Sequence, residues 1–482
     1  MQMKMYRKCF SACLLFVAVG MGLTTSSTAQ ETAKVWKSVQ EPLKEMEQVR
    51  QLIKAPVFKD KDYVVTDFGA KGDKRTMNTD AFKKAIEACH KDGGGRVVVP
   101  AGSFLTGPIY LKSNVNLHLK EGAVIVFSRD TKDYPLVLAR WEGMDCMNFS
   151  PQVYAYEEEN IAITGSGTID GNANDNYWWS WKGKKEHGWK EGMPHQKKDR
   201  DSLHALMKAN VDPRQRVFGE GHYLRPYMIQ PYHCKNLLIS GVKLINSPMW
   251  FVSPVMSENI TIEGVRIISH GPNTDGCDPD ACKNVLIKNC YFDTGDDCIA
   301  IKAGRDEDGR RFGRPAENHI IEGCEMKDGH GGVTLGSEIA GGARNIYAIN
   351  CKLSSPDLDI VIRIKTSSSR GGIIENIFAK DIKVGVYKEA AISCNMFYEN
   401  PGKFMPTIRN IWIENLEVTH GGNYAVNVKA YKESPVQNLK LVNCNFGGVN
   451  TPVKVDHVKD MQFENVVING QVVKVDDSGV TK

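Results

Sequence analysis

The chain has 482 residues, 41% of them hydrophobic and 24% charged, which describes a chain able to bury a large core and excludes fibrous, membrane-embedded and disordered classes. Its formal charge of +4 falls to +1 once a basic leader is set aside, which gives no support for nucleic acid as a partner. Length alone leaves the domain count open, because repeat folds grow along one axis.

In chain order, Lys4, Arg7 and Lys8 precede an apolar run from Cys9 to Leu23, followed by the small-residue pattern Ser27, Thr28, Ala29. This reads as a signal peptide over residues 1–29, cleaved after Ala29, and predicts an exported protein, periplasmic or extracellular, with no membrane association after cleavage. Cys9 and Cys13 leave with the leader, so 11 of the 13 cysteines remain. That odd, scattered set does not resemble a disulfide framework.

Residues 30–62 form an N-terminal segment in which Val35, Trp36, Val39, Leu43, Met46 and Val49 repeat nearly in helical phase, predicting a helix over Glu31 to Lys54. A second helix is expected from Asn78 or Thr79, as its N-cap, to about His90, with Phe82, Ala85, Ile86 and Cys89 on one face. It is placed as a cap over the first coil of a long repeat region.

Residues 63–482 are expected as one β-helix catalytic domain, within which one phrase recurs: Asn, an alternating apolar run, Gly or Asn, and a second alternating run. It begins at Asn160, Asn236, Asn259, Asn284, Asn318, Asn345, Asn376, Asn410 and Asn438, with steps of 23 to 34 residues from Asn236 onward. Period-2 alternation means strand, and the intervening Gly or Asn supplies the left-handed conformation of a sharp bend. Unequal steps of this size fit the coils of a parallel β-helix with an asparagine ladder. Cys290, Cys324, Cys351 and Cys444 share one phase and are expected as an interior stack. A polar stretch at about 172–230, holding Tyr177, Trp178, Trp179, Trp181 and Trp189, interrupts the repeat. Its length and aromatic density mark a functional or packed insertion, and most of the tryptophans are expected to pack against the coils.

Four polar clusters occupy consecutive repeats: Asn273-Thr274-Asp275 with Asp278, then Gly295-Asp296-Asp297, Gly329-His330-Gly331, and Arg363-Ile364-Lys365. Steps of 22, 33 and 33 residues from Asp275 to Asp297, His330 and Arg363 stack them over four coils, roughly 14 Å at about 4.8 Å per strand. Arg363 and Lys365, at i and i+2, point the same way and suit an anionic sugar carboxylate, while Ile364 points to the core. Crowded acids supply one protonated and one ionised carboxyl, as glycosidic cleavage needs. Alone, an NTDG or GDD is a common turn, and acids can bind calcium; their recurrence at coil spacing beside two cations favours the catalytic reading.

The blocks NTDGCD at Asn273, GDDCIAIK at Gly295, GHGGVTLGS at Gly329 and RIKT at Arg363, with VTDFGAKGD at Val65, GGGRVVVPAGSF at Gly93, WEGM at Trp141 and ITGSGTIDG at Ile163, resemble the polygalacturonase family, glycoside hydrolase family 28. The resemblance implies an all-β, right-handed parallel β-helix of the pectin-lyase-like type with an N-terminal helical cap. It implies inverting hydrolysis of α-1,4 galacturonosyl linkages in pectin or pectic oligosaccharides. Asp296 would be the general acid, Asp275 and Asp297 would hold and activate water, and His330 would tune the acid. Arg363 and Lys365 would bind the galacturonate carboxylate, and Asn273 would orient substrate or Asp275. No cofactor or metal is expected. GRDEDGRRFGRPAEN at Gly304 and GSEIAGG at Gly336 resemble bacterial exo-acting relatives, so exo cleavage is expected, with the insertion closing one end of the groove. A β-elimination lyase on the same fold and a glycan-binding adhesin are the alternatives.

Overall fold

The computed structural model describes residues 35–476 and 479–481; the signal peptide read over residues 1–29 lies outside them. The described chain is a right-handed parallel β-helix. From Leu237 onward, strands of successive coils pair in parallel in one register: Leu237 faces Ile260, which faces Val285, His319, Ile346, Ile377, Ile411 and Leu439 in turn. Because a one-residue slip would turn every side chain of a strand to the other face, alternation enforces this register. His319 is the polar member of the row; its Nε2 lies 3.1 Å from the Cys282 carbonyl, and burial pushes its pKa down to about 4.

The asparagine ladder runs almost the whole length of the molecule. Each side-chain N–H donates to the amide oxygen of the coil before it, from Asn160 to Asn114 through Asn438 to Asn410, at 2.8 to 3.3 Å. The ladder residues themselves adopt φ near +54 to +66°, as with Asn318 at +61°. Asparagine accepts this region more readily than other side-chain-bearing residues. The bend between the two runs uses the same conformation at Gly264, Asn289, Gly323, Asn350 and Asn443. Cys290, Cys324, Cys351 and Cys444 are buried in the common core, and all eleven cysteines among the described residues are free thiols.

Two helices cover the coils. Helix α1 (Gln40–Leu52) begins later than its apolar periodicity suggests and sets Met46 and Val49 against Ile320, Tyr347, Phe378 and Trp412 on an outer sheet face. Helix α2 (Thr79–Lys91) buries Phe82, Ala85, Ile86 and Cys89 over the first coils. Asn78 precedes α2 without capping it: its side chain accepts from the Lys71 N–H and donates to the Leu105 carbonyl, tying the helix to neighbouring loops. The insertion carries helix α3 (Lys197–Lys208), whose Leu203 and Met207 pack with Trp141, Phe218 and Trp250. Trp178 is buried with Tyr134 and Phe149, and Trp179 donates to the Ser247 carbonyl with its ring against Gly271, where a Cβ would stand 2.3 Å from the ring. The insertion is thereby fixed beside the coil that bears Asn273.

Candidate active site

The strand positions that follow the acids stack directly, Cys277 on Ile299, Val333 and Ile362. Asp275 and Asp297, each two residues earlier, therefore lie on adjacent coils. Both are buried, and the oxygens of Asp275, Asp296 and Asp297 converge to within 4.8 Å of one another. Asp296, next in sequence to Asp297, turns outward and keeps 17% of its side-chain surface. The six residues singled out by spacing thus gather at one place, with Asp275, Asp297 and Lys365 buried, Asp296 and Arg363 partly buried and His330 exposed.

The cations are less free than their sequence positions suggest. Lys365 Nζ lies 2.6 Å from Asp297 Oδ2, and Arg363 Nη1 lies 3.2 Å from Asp297 Oδ1, which also accepts from Thr334 at 3.2 Å. Ile364 between them points into the core, as alternation requires. Arg363 is in register with Thr334 and not with His330, so its long side chain runs diagonally back and also donates to the His330 carbonyl at 3.1 Å. Tyr398 lies over both cations, 5.0 Å from Lys365 Nζ and 5.4 Å from the Arg363 guanidinium carbon.

His330 Nδ1 lies 2.9 Å from Asp296 Oδ1. This hydrogen bond raises the imidazole above its ordinary value, against burial. Burial pushes the Asp296 carboxyl up, but the bond and charge of His330 outweigh it and hold Asp296 below the usual carboxylate range. Asp275 behaves oppositely: burial, then the neighbouring Asp278 and Asp296 charges, push it well up, and its Oδ1 has no protein hydrogen-bond partner. Asp278, fully buried, is also pushed up by burial, with Lys302 Nζ at 3.8 Å. Carboxyls a few ångströms apart are thus driven toward different protonation states, the condition for paired acid and base.

Among the described residues, the Asn273 side chain is hydrogen-bonded to Asp296, Lys182 and Arg225 rather than to Asp275. Its amide N–H donates to Asp296 Oδ2 at 3.2 Å, and its oxygen accepts from Lys182 Nζ at 2.6 Å and Arg225 Nη2 at 2.8 Å. Lys182, Arg225, Lys302 and Tyr398 were not singled out from sequence. Lys302 ends the GDDCIAIK block, where strand alternation from Asp296 could have found it; Lys182 and Arg225 sit in an aperiodic insertion that gives no register. Behind the acids, Lys302 pairs with Glu338 at 3.1 Å, Glu338 with Arg305 at 2.5 Å, and Arg370 with Asp306 and Glu399, each at 2.5 Å. Arg305 and Asp306 come from the GRDEDG segment, whose helix α4 (Asp306–Phe312) brings them to this network.

Comparison with known proteins agrees with this geometry. Residues 219–473 match the family described as glycosyl hydrolases family 28, and residues 64–118 match one described as rhamnogalacturonase A/epimerase, pectate lyase-like. The crystal structure of a hyperthermoactive exopolygalacturonase from Thermotoga maritima superposes with a TM-score of 0.87 at 44% identity, covering 89% of this chain and 96% of that one. An exo-poly-alpha-D-galacturonosidase of Dickeya chrysanthemi is 26% identical over 445 residues, 84% of this chain and 70% of its own. A grapevine (Vitis vinifera) protein named "Probable polygalacturonase" is 33% identical over 343 residues, 68% of this chain, and the match spans 61% of the grapevine protein's length. With four motif blocks stacked on one β-helix and a family match over more than half its length, the chain belongs to glycoside hydrolase family 28.

Proposed function

We propose that this glycoside hydrolase cleaves α-1,4 galacturonosyl linkages of pectin or pectic oligosaccharides from a chain end, in one inverting displacement. The observation that carries this reading is the convergence of three carboxylates within 4.8 Å between an imidazole and a cationic pair. Asp296, outermost, protonates the leaving oxygen with the proton it shares with His330, which the imidazole holds in the resting site. Asp297, paired with Lys365 and Arg363, accepts the proton of the attacking water through a remaining lone pair. Asp275 orients that water with its unpartnered oxygen, and Arg363 turns its exposed edge to the substrate carboxylate. Action at a chain end is supported by the insertion, which places Trp179 and Lys182 against the coil of Gly271 and Asn273. A groove walled at one end admits a terminus more readily than the middle of a polymer.

The short spacing of the acids favours a second reading. Carboxyls of inverting glycosidases ordinarily stand about 6.5–9.5 Å apart and those of retaining ones about 5–5.5 Å, so a double displacement with Asp297 as nucleophile fits the spacing alone. Lys365, Arg363 and Thr334 engage both Asp297 oxygens and blunt them for attack on carbon, which supports the single displacement.

Incubation with oligogalacturonides of defined length tests the function: a saturated terminal sugar should appear from the first turnovers. Rapid loss of polygalacturonate viscosity at few new reducing ends would refute end-wise cleavage, and an unsaturated product absorbing in the ultraviolet would indicate a lyase. We read residues 1–29 as a leader that directs export to the periplasm or outside the cell, tested by a mature N-terminus at Gln30.

A further inference from the structure

Among the described residues, Asp278 alone is buried with neither carboxylate oxygen hydrogen-bonded to the protein. Other unbonded oxygens lie close by. Val252 bridges to Cys277 and Val255 to Asp280 across adjacent coils, so Ser253 and Asp278 lie side by side. Val252 and Cys277 fill the core, and the alternate residues Ser253 and Asp278 point the other way. Ser253 is buried too, and its Oγ has no hydrogen-bond partner among the described residues. Asp275 Oδ1, three residues before Asp278 in the chain, is the fourth such oxygen. Lys302 Nζ meets Glu338 at 3.1 Å but stands 3.8 Å from Asp278 Oδ2, too far for a direct hydrogen bond.

The same outward row continues to the groups around Asp297. Cys277 stacks on Ile299 and Asp280 on Lys302, which sets Ala300 beside Asp278; Ala300 pairs with Thr334, and Thr334 with Arg363. Thr334 and Arg363 both donate to Asp297 Oδ1. In this row only the short Ala300 side chain stands between Asp278 and the groups that hold Asp297. Buried oxygens left unbonded are costly, and native proteins satisfy them with ordered water where the chain does not. The 3.8 Å between Lys302 and Asp278 is a span that a bridging water closes. With no exposed surface, Asp278 is out of reach of a sugar. The charges that act on it are those of Lys302, Asp297, Asp296 and Glu338, and its own acts on Asp275.

Resting on the function proposed above, we infer that Ser253, Asp278 and Lys302 hold an ordered water beneath the three acids, and that Asp278 acts through it as a positioning residue for Asp275. Asp278 neither touches substrate nor moves the reacting proton. A water fixed by Ser253 and Lys302 on one side offers Asp275 the hydrogen bond that the protein does not supply. Asp275, so fixed, keeps the attacking water in line with the scissile bond.

High-resolution crystallography of the wild type should show a water within hydrogen-bond distance of Ser253 Oγ and Asp278, and clear density without one would overturn the inference. Kinetics on trigalacturonate then compare the wild type with Asp278→Leu, Asp278→Asn and Ser253→Ala. Asp278→Leu should lower kcat by about 10- to 100-fold, the cost of a reacting group misplaced by an ångström, with KM nearly unchanged. Its denaturant midpoint should hold or rise, because two unbonded buried oxygens leave the fold. Asp278→Asn, which can still bond the water, should fall between Asp278→Leu and the wild type, and it carries the kcat test if leucine does not fit. Ser253→Ala should lose about 2- to 10-fold in kcat, the worth of one hydrogen bond. A lower midpoint with kcat intact would make Asp278 a structural group, and a raised KM with kcat unchanged would make it a substrate contact; either overturns the inference. A wild type that leaves every oligogalacturonide uncut would overturn the proposed function and the positioning role with it. An active wild type whose kcat survives both Asp278 substitutions would overturn this inference alone.

Discussion

Replacing His330 by Gln probes how the acid keeps its proton. In the native site the imidazole and Asp296 hold one proton between them, 2.9 Å apart. His330 is raised above the ordinary value of about 6.5 by this bond, and Asp296 is held low by it. A general acid works only while its proton is present, so activity should fall as pH rises through the raised His330 value. The His330→Gln variant would leave Asp296 to hold the proton alone. The basic limb of the kcat/KM profile, which reports the free enzyme, should therefore move to lower pH. Ordinary imidazole and carboxyl values, about 6.5 and about 3.9, lie more than two units apart, so the loss should reach the order of 100-fold above pH 6.5 and shrink to a few-fold at pH 4. Measured between pH 3.5 and 7.5, an equal loss at both ends would refute the shared proton.

The two adjacent aspartates should separate by stability as well as activity. Asp296→Asn should lower kcat by about 10² to 10⁴ with little change in unfolding. Asp297→Asn should be as inactive and lose about 3–5 kcal/mol in denaturant titration, because Lys365 is left buried without its partner. Asn318→Ala should cost about 3–6 kcal/mol, from two orphaned amide groups and an alanine in the left-handed region, and Asn318→Gly should recover about 1 kcal/mol of it. A thiol reagent should leave Cys290, Cys324 and Cys351 unreacted in the native protein and label them on denaturation; labelling without unfolding would contradict the interior stack.

What could be read in the sequence was whatever repeated. The Asn phase from Asn236 to Asn438 fixed strands, bends and ladder together, and coil spacing gathered Asp275, Asp296, Asp297, His330 and Arg363 before any coordinates. Spacing could not show that Lys365 and Arg363 are held by Asp297, because burial depth depends on the surrounding loops. Nor could it find Lys182 and Arg225, which reach Asn273 from 91 and 48 residues away through an insertion without period. Asn78 illustrates the same limit on a small scale: it stands where a cap belongs, but tertiary contacts with Lys71 and Leu105 claim its side chain.

Proton NMR during the first minutes of trigalacturonate cleavage tests the three-acid site most directly. Attack by water held between Asp275 and Asp297, opposite the leaving oxygen, should release a saturated galacturonate at the newly formed reducing end as the β-anomer, with the α-anomer appearing only by mutarotation. Initial release of the α-anomer would contradict the single displacement and make Asp297 a nucleophile.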